Sequence, residues 1–90
     1  MVSRLVKVGT TPTLLADLSP VRKELKIQNQ GNYTIYWSNT PEVSTAGTRK
    51  GFELVSGGIA SLNEEDDPVL IHEPIYAVAL GETEVLIWEA

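Results

Sequence analysis

The chain's 90 residues include 12 acidic and 7 basic side chains, one histidine and no cysteine, giving a net charge of −5 and a pI near 4.7. That length suits one domain, residues 1–90, with one modest core, and the absence of cysteine excludes a disulfide framework or a thiolate metal site. The acidic balance argues against a nucleic-acid partner, whose phosphates call for a surplus of Lys and Arg, and no run of about 18–20 apolar residues offers a membrane span.

Residues 1–4 lead into no uninterrupted apolar run, so no secretory signal is expected and synthesis in the cytoplasm is. Residues 3–8 alternate Arg4, Val6, Val8 against Leu5 and Lys7 until Gly9-Thr10-Thr11-Pro12 breaks the pattern, which predicts a short strand. Residues 13–18 read as a short strand or a single turn, the strand being preferred. The clearest pattern follows at 22–38, where residues 21–29 and 33–38 are rich in β-branched and aromatic side chains around Gln30-Gly31-Asn32. Read as a hairpin with a three-residue loop, this stretch sets Leu25 opposite Trp37, Ile27 opposite Ile35 and Asn29 opposite Tyr33. Lys26, Gln28, Thr34 and Tyr36 then share the solvent side. A two-residue turn would mix the faces, so the three-residue loop is the expected register.

Residues 39–51 form a long polar loop ending in Arg49, Lys50 and Gly51. Phe52-Glu53-Leu54 reads as a strand, Ser56-Gly57-Gly58 as a turn, and residues 59–62 as a strand with Ile59 and Ser61 on one face and Ala60 and Leu62 on the other. The adjacent carboxylates Glu64-Glu65-Asp66-Asp67 repel one another and predict a solvated turn before a small strand at 69–71. Gly81-Glu82 between Ala79-Leu80 and Thr83-Glu84 predicts a type II′ hairpin. That register pairs Tyr76 with Ile87 and Val78 with Val85 on one face, and Ile75 with Trp88 and Ala77 with Leu86 on the other. Both faces are apolar, so one is expected in the core and the other against a loop or a neighbouring subunit. Strand signals at roughly 8–12-residue spacing, without an amphipathic helical window, predict an all-β chain. The expected architecture is a small antiparallel β-sandwich or flattened barrel of seven to eight short strands.

Groups that carry chemistry are sparse. His72 stands alone, best read as hydrogen-bonded to Glu73 or to backbone, and no nucleophile and base stand in a recognisable arrangement, so no catalysis is expected. The acidic run lacks the alternating spacing that wraps oxygen ligands about calcium, Gly57-Gly58 precedes no helix that could bind phosphate, and Asn32-Tyr33-Thr34 matches a glycosylation pattern with no secretory signal beside it. Neither metal nor cofactor is expected. Of the aromatic residues, only Tyr36 is expected to point outward from the first hairpin, too little for a carbohydrate platform. Trp88 is read as equally suited to core and interface. The expected interface residues are Ile75, Ala77, Leu86 and Trp88 of the last hairpin, Arg49 and Lys50 of the long loop, and Leu5 of the first strand, since an edge strand can also pair with a neighbour.

The collinear order Val8-Gly9-Thr10-Thr11-Pro12, Arg22, Leu25-Lys26-Ile27-Gln28-Asn29, Gly31, Ile35-Tyr36, Gly51-Phe52-Glu53-Leu54, Pro74-Ile75-Tyr76-Ala77-Val78 and the closing Val85, Ile87, Glu89 resembles small β-rich structural proteins of tailed bacteriophages and prophages. The resemblance spans most of the chain through strand and turn patterns. It implies a non-enzymatic virion component, a capsid decoration or cement protein that acts as a homo-oligomer, a trimer by preference, on the major capsid protein or another virion protein. The alternative is a carbohydrate- or receptor-binding module of a head or tail fibre. Trp37, Trp88 and the run from Glu64 to Asp67 depart from the group's pattern, so no binding site carries over residue by residue.

Overall fold

The computed structural model describes residues 2–90, and of Val2 only the backbone. Eight strands are formed: β1 (Val2–Val8), β2 (Thr13–Ala16), β3 (Glu24–Asn29), β4 (Ile35–Ser38), β5 (Phe52–Leu54), β6 (Ile59–Asn63), β7 (Ile75–Ala79) and β8 (Thr83–Glu89). They build two antiparallel four-stranded sheets, the first in the order β1-β8-β3-β6 and the second in the order β2-β7-β4-β5. The all-β sandwich expected from strand spacing is therefore present, and its strand order is that of a jelly roll.

The connectivity departs from expectation. Six of the seven connections change sheets; only β4 to β5 stays within one. The residues read as a hairpin at 22–38 thus do not pair with each other: β3 lies between β8 and β6 in the first sheet, whereas β4 lies between β7 and β5 in the second. Their faces were nevertheless assigned correctly, because Leu25, Ile27, Ile35 and Trp37 are all buried. They meet across the core instead of along a ladder.

The closing stretch is corrected in the same way. β7 and β8 belong to different sheets, and among the described residues only Gly47 and Gly57 have positive φ, so Gly81 does not make the predicted type II′ turn. The Tyr33 ring packs over position 81, where a Cβ would lie 2.6 Å from it and oblige that exposed side chain to shift. The two-sided apolar pattern now has a different cause. β7 buries Ile75, Ala77 and Ala79, β8 buries Val85 and Ile87, and the assumed pairing put these two core sets on opposite faces of one ribbon. The strand expected at 69–71 is a short 3-10 turn over Leu70–His72, which sinks Ile71 into the core.

Alternation supplies the core directly. Leu25 and Ile27 of β3, Val85 and Ile87 of β8, Ile35 and Trp37 of β4 and Ile75 of β7 join Val8, Leu15, Leu54, Leu62 and Ile71 in one cluster between the sheets. Each fully buried Leu, Ile or Val contributes about 1.5–3 kcal/mol by leaving water.

Each end of the sandwich is closed by a buried polar residue. The connections β1–β2, β3–β4, β5–β6 and β7–β8 all cross at one end, where Asn29 is wholly buried and fully bonded. Its Nδ2 donates to the Tyr33 carbonyl at 2.6 Å and the Leu54 carbonyl at 3.0 Å, and its Oδ1 accepts from Gly31 N at 3.2 Å and Thr83 Oγ1 at 2.9 Å. At the other end the Arg22 guanidinium, 3% exposed, donates to the carbonyls of Ile71 (2.7 Å), Asp17 (2.9 Å) and Glu73 (2.8 Å) and to Glu89 (2.8 Å). Arg4 completes that network, reaching the second Glu89 oxygen at 2.6 Å and the Leu15 carbonyl.

Candidate interaction surface

Because β8 pairs with both β1 and β3, and β3 with β6, register alone fixes what the first sheet presents to solvent. One row across the four strands reads Leu5, Leu86, Gln28, Ile59, and the next reads Ser3, Trp88, Lys26, Ser61. Leu5 is 57% and Ile59 60% exposed, at the two edges of the sheet, with half-buried Leu86 between them. The Lys26 ammonium sits 5.3 Å from the centre of the Trp88 ring, a cation–π contact that also fixes the indole over the sheet. Lys26, Gln28, Ile59, Leu86 and Trp88 enclose a shallow depression of about 400 Å³ with an apolar floor. A solvent-facing sheet ordinarily alternates polar residues outward, so an apolar row here is the informative departure.

Of the residues expected at an interface, the structure brings together Leu5, Leu86 and Trp88 on this face. Ile75 and Ala77 are corrected: both have no exposed surface, because β7 turns them into the core of the second sheet, and neither can meet a partner in the folded chain. Arg49 and Lys50 are exposed, but in the β4–β5 loop of the second sheet, apart from this face. Lys50 is engaged locally, 3.4 Å from Glu53 and 5.5 Å from the centre of the Tyr36 ring. Ile59 and Lys26 were not expected here. The alternation of β6 had set Ile59 apart from Leu62, but only the β3–β6 pairing places it beside Gln28 and in one row with Leu86.

The other candidate groups are occupied by structure. His72 Nδ1 lies 3.0 Å from the Ser19 carbonyl, and Ser19 N donates to the His72 carbonyl at 3.0 Å, which joins the 3-10 turn to the β2–β3 loop. In the acidic turn, Asp66 accepts from Asn63 Nδ2 at 3.0 Å and Asp67 from Asn63 N at 3.3 Å, so these carboxylates cap the end of β6. Among the described residues no three His, Cys, Asp or Glu side chains gather as a metal site would require. Gly57, at φ 81°, occupies the third position of a turn closed by Gly58 N donating to Val55 O at 2.8 Å.

Two carboxyls have shifted acidity. Burial pushes Glu89 up, but hydrogen bonds from Arg4 and Arg22, reinforced by their charges, outweigh it and hold the group below its ordinary value. The Thr40 hydroxyl, with the Glu42 backbone N–H, lowers exposed Glu42. Neither belongs to the apolar face.

No protein-family model, curated protein or solved structure matches the chain. No helix among the described residues is long and apolar enough to cross a membrane.

Proposed function

We propose that the protein is a non-catalytic structural component of a tailed-phage virion, a cement-like protein that adheres to the assembled shell through the outer face of the first sheet. The observation that carries this reading is the row Leu5, Leu86, Gln28, Ile59, apolar at three of its four positions and flanked by Trp88, on a sheet face that has no covering layer of its own. Such a face loses free energy to water until a protein surface covers it, and a half-exposed Trp is the side chain that most often anchors such contacts. The resemblance to virion proteins supports the same reading, and so, by analogy of fold alone, does the jelly roll, which capsid proteins and lectins share. A protein that binds only the assembled lattice stabilises it by mass action, by about 2.7 kcal/mol per site at a free concentration 100 times its Kd.

Co-sedimentation with undecorated capsids tests the proposal. The wild-type chain is expected to pellet with the shells, and Leu86→Glu, which places a charge in the middle of the row, to weaken binding by about tenfold or more. A wild-type chain that stays in the supernatant rejects the cement role. A second reading, the fibre module that binds a carbohydrate or receptor, draws on Trp88 lying beside Gln28 and Lys26, an aromatic ring with hydrogen-bonding neighbours. Glycan-array binding lost in Trp88→Ala, without capsid binding, would favour it.

A further inference from the structure

We infer that two copies of this chain pair through the free edges of β1, antiparallel about a twofold axis at Leu5, and so join their first sheets into one of eight strands. The inference names a second copy as a partner at the same outer face and rests on the proposed binding role of that face.

The four sheet edges are unequal. β5 offers three residues, and β2 offers four with a register break between Leu14 and Ala16. β6 offers five and runs directly into Glu64-Glu65-Asp66-Asp67. β1 has seven residues in unbroken register with β8, no proline and no bulge, and among the described residues 3–8 make no backbone hydrogen bond beyond that ladder. Its outward N–H and C=O groups form an open template of the kind that pairs with another strand.

Register identifies the occupant. Residues 3–8 contain Arg4 and Lys7 and no acid, so charge supplies no attraction between two such edges, and a pairing must place these cations apart and rest on the strand edge and Leu5. A twofold axis at Leu5 sets Leu5 against the second copy's Leu5, Arg4 against Val6 and Ser3 against Lys7, with no like charges opposed. Leu86 and Leu5 of one copy then continue directly into Leu5 and Leu86 of the other across the dyad, with Gln28 and Ile59 beyond them on each side. The contact is isologous and closes at two copies. It consists of one strand edge and the Leu5 pair, which places it at the small end of interfaces, under about 1,200 Å², and makes association weak and concentration-dependent.

The cysteine-free chain permits a direct test. Opposed residues of an antiparallel pair have Cα atoms about 4.5–5.5 Å apart, within disulfide reach. Leu5→Cys oxidised at high protein concentration is expected to give a covalent dimer, and Ile59→Cys to remain monomeric. In sedimentation equilibrium the wild type is expected to follow a monomer–dimer curve. Leu5→Lys should raise its Kd by about tenfold, and mixing Leu5→Lys with Leu5→Glu should restore pairing. A chain that stays monomeric at all concentrations, a trimeric mass, or preferential cross-linking through Ile59→Cys would overturn the inference. Capsid co-sedimentation of Leu86→Glu is read separately, so the pairing and the shell-binding role can fail independently.

Discussion

At the crossover end a neutral amide, Asn29, holds three chain segments with four hydrogen bonds, whereas at the opposite end Arg22 holds three carbonyls and a carboxylate with a positive charge. Both side chains are buried, and both gather loops from the two sheets. They differ in what each requires of its surroundings. The amide supplies two donors and two acceptors and is satisfied by neutral groups, but the guanidinium has donors only and needs Glu89 to balance its charge. The amide itself does not titrate, whereas the guanidinium network depends on one carboxylate remaining ionised.

The largest expected loss comes from cutting the charged end. Arg22→Met leaves three carbonyls without their donor and Glu89 with Arg4 alone, and should destabilise the fold by about 3–5 kcal/mol in urea denaturation. At the neutral end Asn29→Ala strands the Tyr33 and Leu54 carbonyls and should cost about 2–3 kcal/mol in the same measurement. Asn29→Asp would erase the difference in kind: an ionised carboxylate cannot donate to those carbonyls, so this variant should gain stability as pH falls and it protonates.

Glu89 sets the opposite slope. Its folded acidity lies below the ordinary value of 4.5, so its contribution is fully present above that pH and is lost as pH falls through the folded value. Thermal melts from neutral pH down to the acid limb should therefore show a decline below about 4.5. Glu89→Gln should flatten that part of the decline and cost about 1–2 kcal/mol at neutral pH. The smallest effect is expected from Thr83→Val, which removes one donor to Asn29 while Gly31 N remains. It should cost about 0.5–1.5 kcal/mol and leave the acid limb unchanged.

The same two ends explain what the sequence could convey. Period-two alternation correctly told which side of each strand faces the core: Leu25 and Ile27 inward, Lys26 outward, Leu62 inward, Ile59 outward. Alternation carries no information about which strand lies alongside. Short, glycine-containing connections at 30–32 and 81–82 looked like hairpin turns because an arch between sheets also needs small residues. The demand differs in kind: a Cβ on Gly31 would lie 1.8 Å from Thr83 Oγ1, so the glycine makes room for the opposing connection. Arg22 was legible only as a basic residue before a strand, since its four acceptors come from three separate parts of the chain. The outer apolar row was half visible. Leu86 and Trp88 were singled out through a pairing that does not exist, and Ile59 required the β3–β6 register.

Strand order also governs when the molecule can form. β8 lies between β1 and β3, so the first sheet has no continuous ladder until residues 83–89 are present, and the earliest and latest parts of the chain must meet before it can close. Only β4 and β5 can pair as local neighbours. A nascent chain short of β8 holds the strands of the second sheet and the β3–β6 pair but leaves β1 without a partner and β3 open along one edge, and the completed chain should fold slowly, in roughly milliseconds to seconds, as one cooperative unit.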